Sequence, residues 1–177
     1  MKAAVILLLS AACAAVAVGA VAQGRAPASR VRGRGRTLLL TERGRTHALR
    51  VGDKVDAARI TDASVVFESR AGGFVYLLLD VCGPSKERPD DRQCGAGVEC
   101  NLLWLKLDAR YRVAAADSAR YESCWAPVSS DDGYRVEGRT LRATVDDFRE
   151  QLRYRLTYDA DHPEQGLRTQ QSPLKQP

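Results

Sequence analysis

The sequence predicts an all-β domain: an antiparallel β-sandwich or barrel-like meander of roughly 8–10 short strands, stapled by two disulfides. Three observations predict it. From Thr37 onward, apolar residues recur mostly at every second position, the period of a half-buried strand. Turn clusters such as Arg70-Ala71-Gly72-Gly73 and Ser129-Ser130-Asp131-Asp132-Gly133 divide these segments. No apolar pattern of helical period is sustained, and the best helix candidate, 145–152, could make only a turn or two.

The chain begins with a segment of a different kind. In residues 1–22, Lys2 precedes the apolar run AAVILLL, and Ala20-Val21-Ala22 fits a small-x-small cleavage site. This is the form of a secretory signal, whose removal would leave Gln23 first and no transmembrane segment behind. If retained, the same stretch is long enough to anchor the chain in a bilayer. Arg outnumbers Lys 22 to 5 and there is a single Asn, a skew that suggests a GC-rich bacterial genome.

Residues 23–36, QGRAPASRVRGRGR, hold five Arg and no acid. Gly, Pro, Ser and Arg give this stretch little to bury, so it is expected to be a disordered arm. It would serve as a solubilising linker or touch an anionic envelope polymer or lipid head group. Nucleic acid is not an expected partner, because no aromatic residues interleave with the arginines to stack on bases. Nor is GRGR a phosphate loop, since it follows no strand and opens no helix.

One β domain is expected over 37–169, with a loose tail at 170–177. TLLLTE and HALRV, joined by RGRT, read as a hairpin. DASVVFES at 62–69 alternates, with Ala63, Val65 and Phe67 on one face. RVAAAD and SARYESCW read as a short strand pair, followed by YRVEG and RTLRATVDDF. EQLRYRLTYD places Leu152, Tyr154, Leu156 and Tyr158 on one face and Arg153, Arg155 and Thr157 on the other, as in a sheet with one wet face. LRTQQ is a candidate edge strand.

At the centre lie FVYLLLDV and NLLWLKLD, joined by a loop at 83–99. Facing Cys82 with Cys100 pairs residues whose numbers sum to 182. Val75, Leu77 and Leu79 then meet Leu107, Leu105 and Leu103 on an aliphatic core face. Phe74, Tyr76, Leu78 and Asp80 meet Asp108, Lys106, Trp104 and Leu102 on a mixed face. That face is either covered or is a binding patch carrying Tyr76, Trp104 and Lys106.

Excluding Cys13 in the leader, four cysteines remain: Cys82, Cys94, Cys100 and Cys124. An even count in an exported chain reads as two disulfides. Their spacing is too wide for the tight pairs of a zinc framework. Cys82–Cys100 would close the loop base, and Cys94–Cys124 would pin its middle. A pinned polar loop is a recognition surface, and its candidate residues are Arg88, Asp90 and Asp91.

Little in the sequence points to catalysis. There are two His, His47 and His162, and no motif of a zinc protease, serine hydrolase or nucleotide-binding loop. Asp159, Asp161, His162 and Glu164 form the densest acidic cluster. They would either cap a turn or hold a hard cation such as Ca²⁺, so no cofactor is expected beyond that ion. The expected function is therefore an exported, periplasmic or secreted, non-enzymatic binding module for a protein or an anionic envelope polymer. Two alternatives stay open. One is a barrel carrying an apolar ligand against Phe67, Leu77 and Leu105. The other is a small carboxylate-dependent hydrolase using the 159–164 cluster.

Overall fold

A computed structural model describes residues 29–87, 94 and 97–174. The signal-like residues 1–22 and the loop candidates Arg88, Asp90 and Asp91 lie outside the described residues. The fold is all-β, with two antiparallel sheets and two disulfides. The smaller sheet is a meander of β1 (Arg30–Arg34), β2 (Thr37–Glu42) and β3 (Arg45–Arg50). The larger contains β4 (Asp62–Ala71), β5 (Phe74–Pro84), β6 (Val98–Leu107), β7 (Val113–Ser123) and the two-residue β8 (Val128–Ser129). It continues through β10 (Thr140–Asp147), β11 (Leu152–Asp159) and β12 (Arg168–Pro173), with β9 (Tyr134–Glu137) pairing on β10.

The central hairpin has the register expected from Cys82 facing Cys100. Val75 pairs with Leu107, Leu77 with Leu105 and Leu79 with Leu103. Leu77, Leu79, Leu103 and Leu105 are fully buried against Leu38, Leu40, Leu49 and Val51 of the small sheet and its exit. The opposite face is buried as well. Tyr76, Leu78, Leu102 and Trp104 pack against Leu141, Ala143 and Val145 of β10 and Leu156 and Tyr158 of β11. The large sheet folds over on itself where β8 makes its brief link, a single pair with β7 and two with β10. The β5–β6 layer is thus a middle slice between two cores. This is why FVYLLLDV and NLLWLKL read as near-continuous apolar runs, the pattern of strands covered on both faces.

Five local expectations are corrected. Residues 30–36, assigned by composition to a disordered arm, form β1 and the turn into β2. Their glycines serve packing rather than flexibility. A Cβ on Gly33 would lie 2.4 Å from the Ile60 carbonyl oxygen, and Gly35, at φ +59°, makes the turn. The Ile60 N–H donates to the Gly35 carbonyl across 2.6 Å. Gly33→Val is therefore expected to lower stability by about 1–3 kcal/mol by forcing β1 off its support, measured as a fall in the urea midpoint without a change in slope.

The second correction concerns β4. A bulge between Val65 and Phe67 shifts the register, so Phe67 turns to the core opposite that of Ala63 and Val65. A bulge reverses the alternation downstream of it. Phe67 consequently cannot line one cavity with Leu77 and Leu105, as the apolar-carrier reading required. Third, RVAAAD and SARYES are one strand, β7, pairing along β6 rather than with each other. Fourth, the helix candidate at 145–152 is the end of β10 followed by a turn. The Asp147 Oδ1 accepts from the Arg149 and Glu150 N–H groups there, both at 3.0 Å. The strand at the C-terminal end also extends to Pro173, four positions into the segment expected to be loose.

Candidate functional site

Of the mixed-face candidates, Tyr76 and Trp104 are only 3% and 8% exposed. They do not form an open patch. Trp104 Nε1–H donates to the Pro163 carbonyl at 2.9 Å, and its ring lies beside that of Tyr76, centroids 6.1 Å apart. Lys106 is half-buried, with Nζ 4.0 Å from the Phe74 ring centroid and 5.9 Å from that of Tyr76. All three side chains are thus engaged in packing between the β5–β6 layer and its cover.

The base of the pinned loop is clasped rather than open. Cys94 and Cys124 are bonded. Glu99, 1% exposed, accepts from the Ser85 hydroxyl at 2.7 Å and the Ser123 hydroxyl at 2.5 Å. Trp125 Nε1–H donates to the Lys86 carbonyl at 2.9 Å. These contacts fasten the two ends of the loop to the β7–β8 connection.

The acidic cluster at 159–164 stabilises a turn. Asp159 Oδ1 accepts from the Asp161 N–H at 2.9 Å, and its Oδ2 faces His162 Nδ1 at 2.9 Å. Asp161 is ion-paired with Arg139. Among the described residues, no group of three or more His, Cys, Asp or Glu is arranged to hold a metal ion. The hydrogen bond from His162 is the main influence holding Asp159 below the usual carboxylate range, and Asp159 in turn raises His162. A raised imidazole keeps this ion pair intact below its ordinary value and loses it as pH climbs through the raised one. The His162 ring resonances are expected to titrate above the ordinary histidine midpoint and to return towards it in Asp159→Asn.

A further carboxylate, Asp80, is held by two phenols. Tyr121 donates to its Oδ1 at 2.8 Å and Tyr134 to its Oδ2 at 3.2 Å. Burial, reinforced by the Asp80 charge, pushes Tyr134 up to about 12 and Tyr121 higher still, so both hydroxyls keep their protons and donate. This knot joins β5, β7 and β9 across the fold.

The most distinctive surface lies on the small sheet. Leu38, Leu40 and Leu49 point into the core, so the alternate positions point outward. In register, these form the rows Arg30–Thr41–Thr46, Arg32–Leu39–Ala48 and Arg34–Thr37–Arg50. The outer face therefore carries four arginines and no acid. Along β1, successive outward guanidinium stems are about 7 Å apart. None of the four makes an ion pair among the described residues. Over residues 29–55 the charge is eight basic minus two acidic, or +6, whereas residues 56–177 total −3. The small sheet is thus the positive pole of the domain.

The face continues into a cleft of about 500 Å³ between the free edge of β3 and the turn at 108–112, lined by Arg50, Arg110, Arg112 and His47. Asp108 organises that turn, accepting from the N–H groups of Arg110 at 2.8 Å and Arg112 at 2.9 Å. The Arg112 N–H and guanidinium hold its carboxyl below the usual range. Tyr111 takes a left-handed backbone, φ +59°, which a bulky residue adopts only under constraint. Its ring stacks on His47, centroids 4.2 Å apart. None of these cleft residues was singled out from sequence, because the turn and β3 are joined only by the tertiary fold. The arginine alternation at 30, 32 and 34 was the one available signal.

Comparison with protein-family models, curated proteins and solved structures finds no match for this chain.

Proposed function

We propose that this protein is an exported, non-enzymatic binding module that docks an anionic polymer of the cell envelope on the outer face of β1–β3. The observation that carries this reading is the acid-free face of Arg30, Arg32, Arg34 and Arg50. Guanidinium groups offer paired donors that match phosphate and carboxylate oxygens. A sheet presents them at fixed spacing, so the backbone that carries them is already ordered before contact. Two disulfides suit an oxidising compartment, and the signal-like residues 1–22 support export to the periplasm or beyond.

Contact of the arginine-rich segment with an anionic polymer is one of the two roles its composition suggests, here on a strand rather than a disordered arm. Arg30, Arg32 and Arg34 of β1 and Arg50 of β3 supply the surface, while Tyr76 and Trp104 are buried in the core. Polyglycerol phosphate, a soluble phosphodiester polymer, is the probe. Binding is expected to weaken steeply between about 50 and 200 mM salt, because the entropy gained by releasing condensed counterions falls as bulk salt rises. Binding that is flat across that range, or unchanged in Arg30→Gln/Arg32→Gln/Arg34→Gln, would overturn the proposal. Polygalacturonate, a carboxylate polymer, distinguishes general charge attraction from a preference for phosphate.

A further inference from the structure

We infer that the cleft at the free edge of β3 is a discrete subsite for a single phosphoryl group, with Arg50 and Arg110 as its ligands. This deepens the reading of the arginine face as a polyanion surface and rests on it for the identity of the polymer. Arg50 belongs to both features: it ends the row Arg34–Thr37–Arg50 and lines the cleft. A chain lying across the face would thus be led to the cleft at the sheet edge.

The cleft differs from the face in being built. Arg112 is held by Asp108, with Nε 2.7 Å and Nη2 2.6 Å from Oδ2. Its charge is spent on fixing the turn. Arg110, on the turn, and Arg50, at the end of β3, have no ion pair among the described residues and both line the cleft. The stacked His47 and Tyr111 rings line the cleft with them, and the Tyr111 hydroxyl accepts from Arg70 Nη2 at 3.4 Å. Arg70 is itself fixed by Glu42 at 2.5 Å and Glu68 at 3.0 Å. Two free guanidiniums, one from the turn and one from β3, suit an anion with several acceptor oxygens and more than one charge. A phosphomonoester, such as the end group of a phosphodiester chain, supplies both, with one non-bridging oxygen for each guanidinium. The His47 and Tyr111 rings that line the cleft give it an apolar ring floor for the carbon skeleton that bears the phosphoryl group.

The test is a titration of the full chain, followed by amide and guanidinium NMR shifts, with glycerol phosphate as a small probe and glutarate as a dicarboxylate control. Saturable shifts are expected at His47, Tyr111 and Arg112. Arg110→Gln should weaken glycerol phosphate at least tenfold, whereas Arg155→Gln, at an exposed position of β11 outside the cleft and the arginine face, should leave it within twofold. Inorganic phosphate separates recognition of the phosphoryl group alone from recognition of its ester, and tighter binding of the ester would support a role for the ring floor. Equal response to glutarate, or no loss in Arg110→Gln, would overturn the subsite. If the protein binds polyglycerol phosphate but not glycerol phosphate, the subsite fails and the docking face stands. The reverse result supports the subsite and overturns the polymer reading.

Discussion

Trp104→Ala is expected to destabilise the domain by about 3–5 kcal/mol, the range for removing a large buried ring. Trp104 sits in the second core, between the β5–β6 layer and the β11–β12 connection. Its loss would open a cavity beside Tyr76 and strip the Pro163 carbonyl of its donor. It would also free the loop at Gly166, where a Cβ would lie 3.8 Å from the indole. A domain of this size has a total stability of roughly 5–15 kcal/mol, so the variant should unfold at a markedly lower urea concentration. An exposed recognition ring would behave differently, changing stability by only about 0.5 kcal/mol or less. Measuring stability and polymer binding on the same variant separates the two roles. Binding by the fraction that remains folded should be unchanged.

The opposite pattern is expected for Arg30→Gln/Arg32→Gln/Arg34→Gln. All three side chains are exposed on β1 and make no ion pair among the described residues. Stability should therefore move by no more than about 0.5 kcal/mol. A basic residue near an anionic surface contributes about 1 kcal/mol at physiological salt. Removing three should then weaken polymer binding by roughly 100-fold. The loss should shrink as salt rises, since screening already removes much of the attraction. Replacing the same residues by Lys keeps the charge and loses the paired donors. An intermediate affinity with an unchanged salt slope would show that the guanidinium geometry contributes beyond charge.

The central hairpin was legible because one assumption, Cys82 facing Cys100, fixed every pair along it. Its second face was not. The sequence leaves Tyr76 and Trp104 either covered or in a binding patch, and the cover, Leu141 and Tyr158, comes from strands far along the chain. Phe67 was placed on the wrong face because a bulge leaves no mark in alternation read over so few residues. The segment RVRGRGR was misread for a compositional reason. Glycine and arginine suggest disorder, yet Gly33 is required by the close approach of Ile60 and the arginines fall at every second position. Strand period was present there, carried by charge on the outer face rather than by apolar residues. The cleft residues Arg50, Arg110 and Tyr111 had no shared signal at all, since a turn between β6 and β7 meets the edge of β3 only in the folded protein.

The most direct test of the docking face is an amide hydrogen-exchange map of the full chain with and without polyglycerol phosphate at low salt. Increased protection is expected across β1–β3 and at the 108–112 turn, with the loop base at 85–87 and 97–99 unaffected. Protection confined to that loop base, with β1–β3 unchanged, would place recognition on the cysteine-pinned loop and contradict the arginine face as the site of binding.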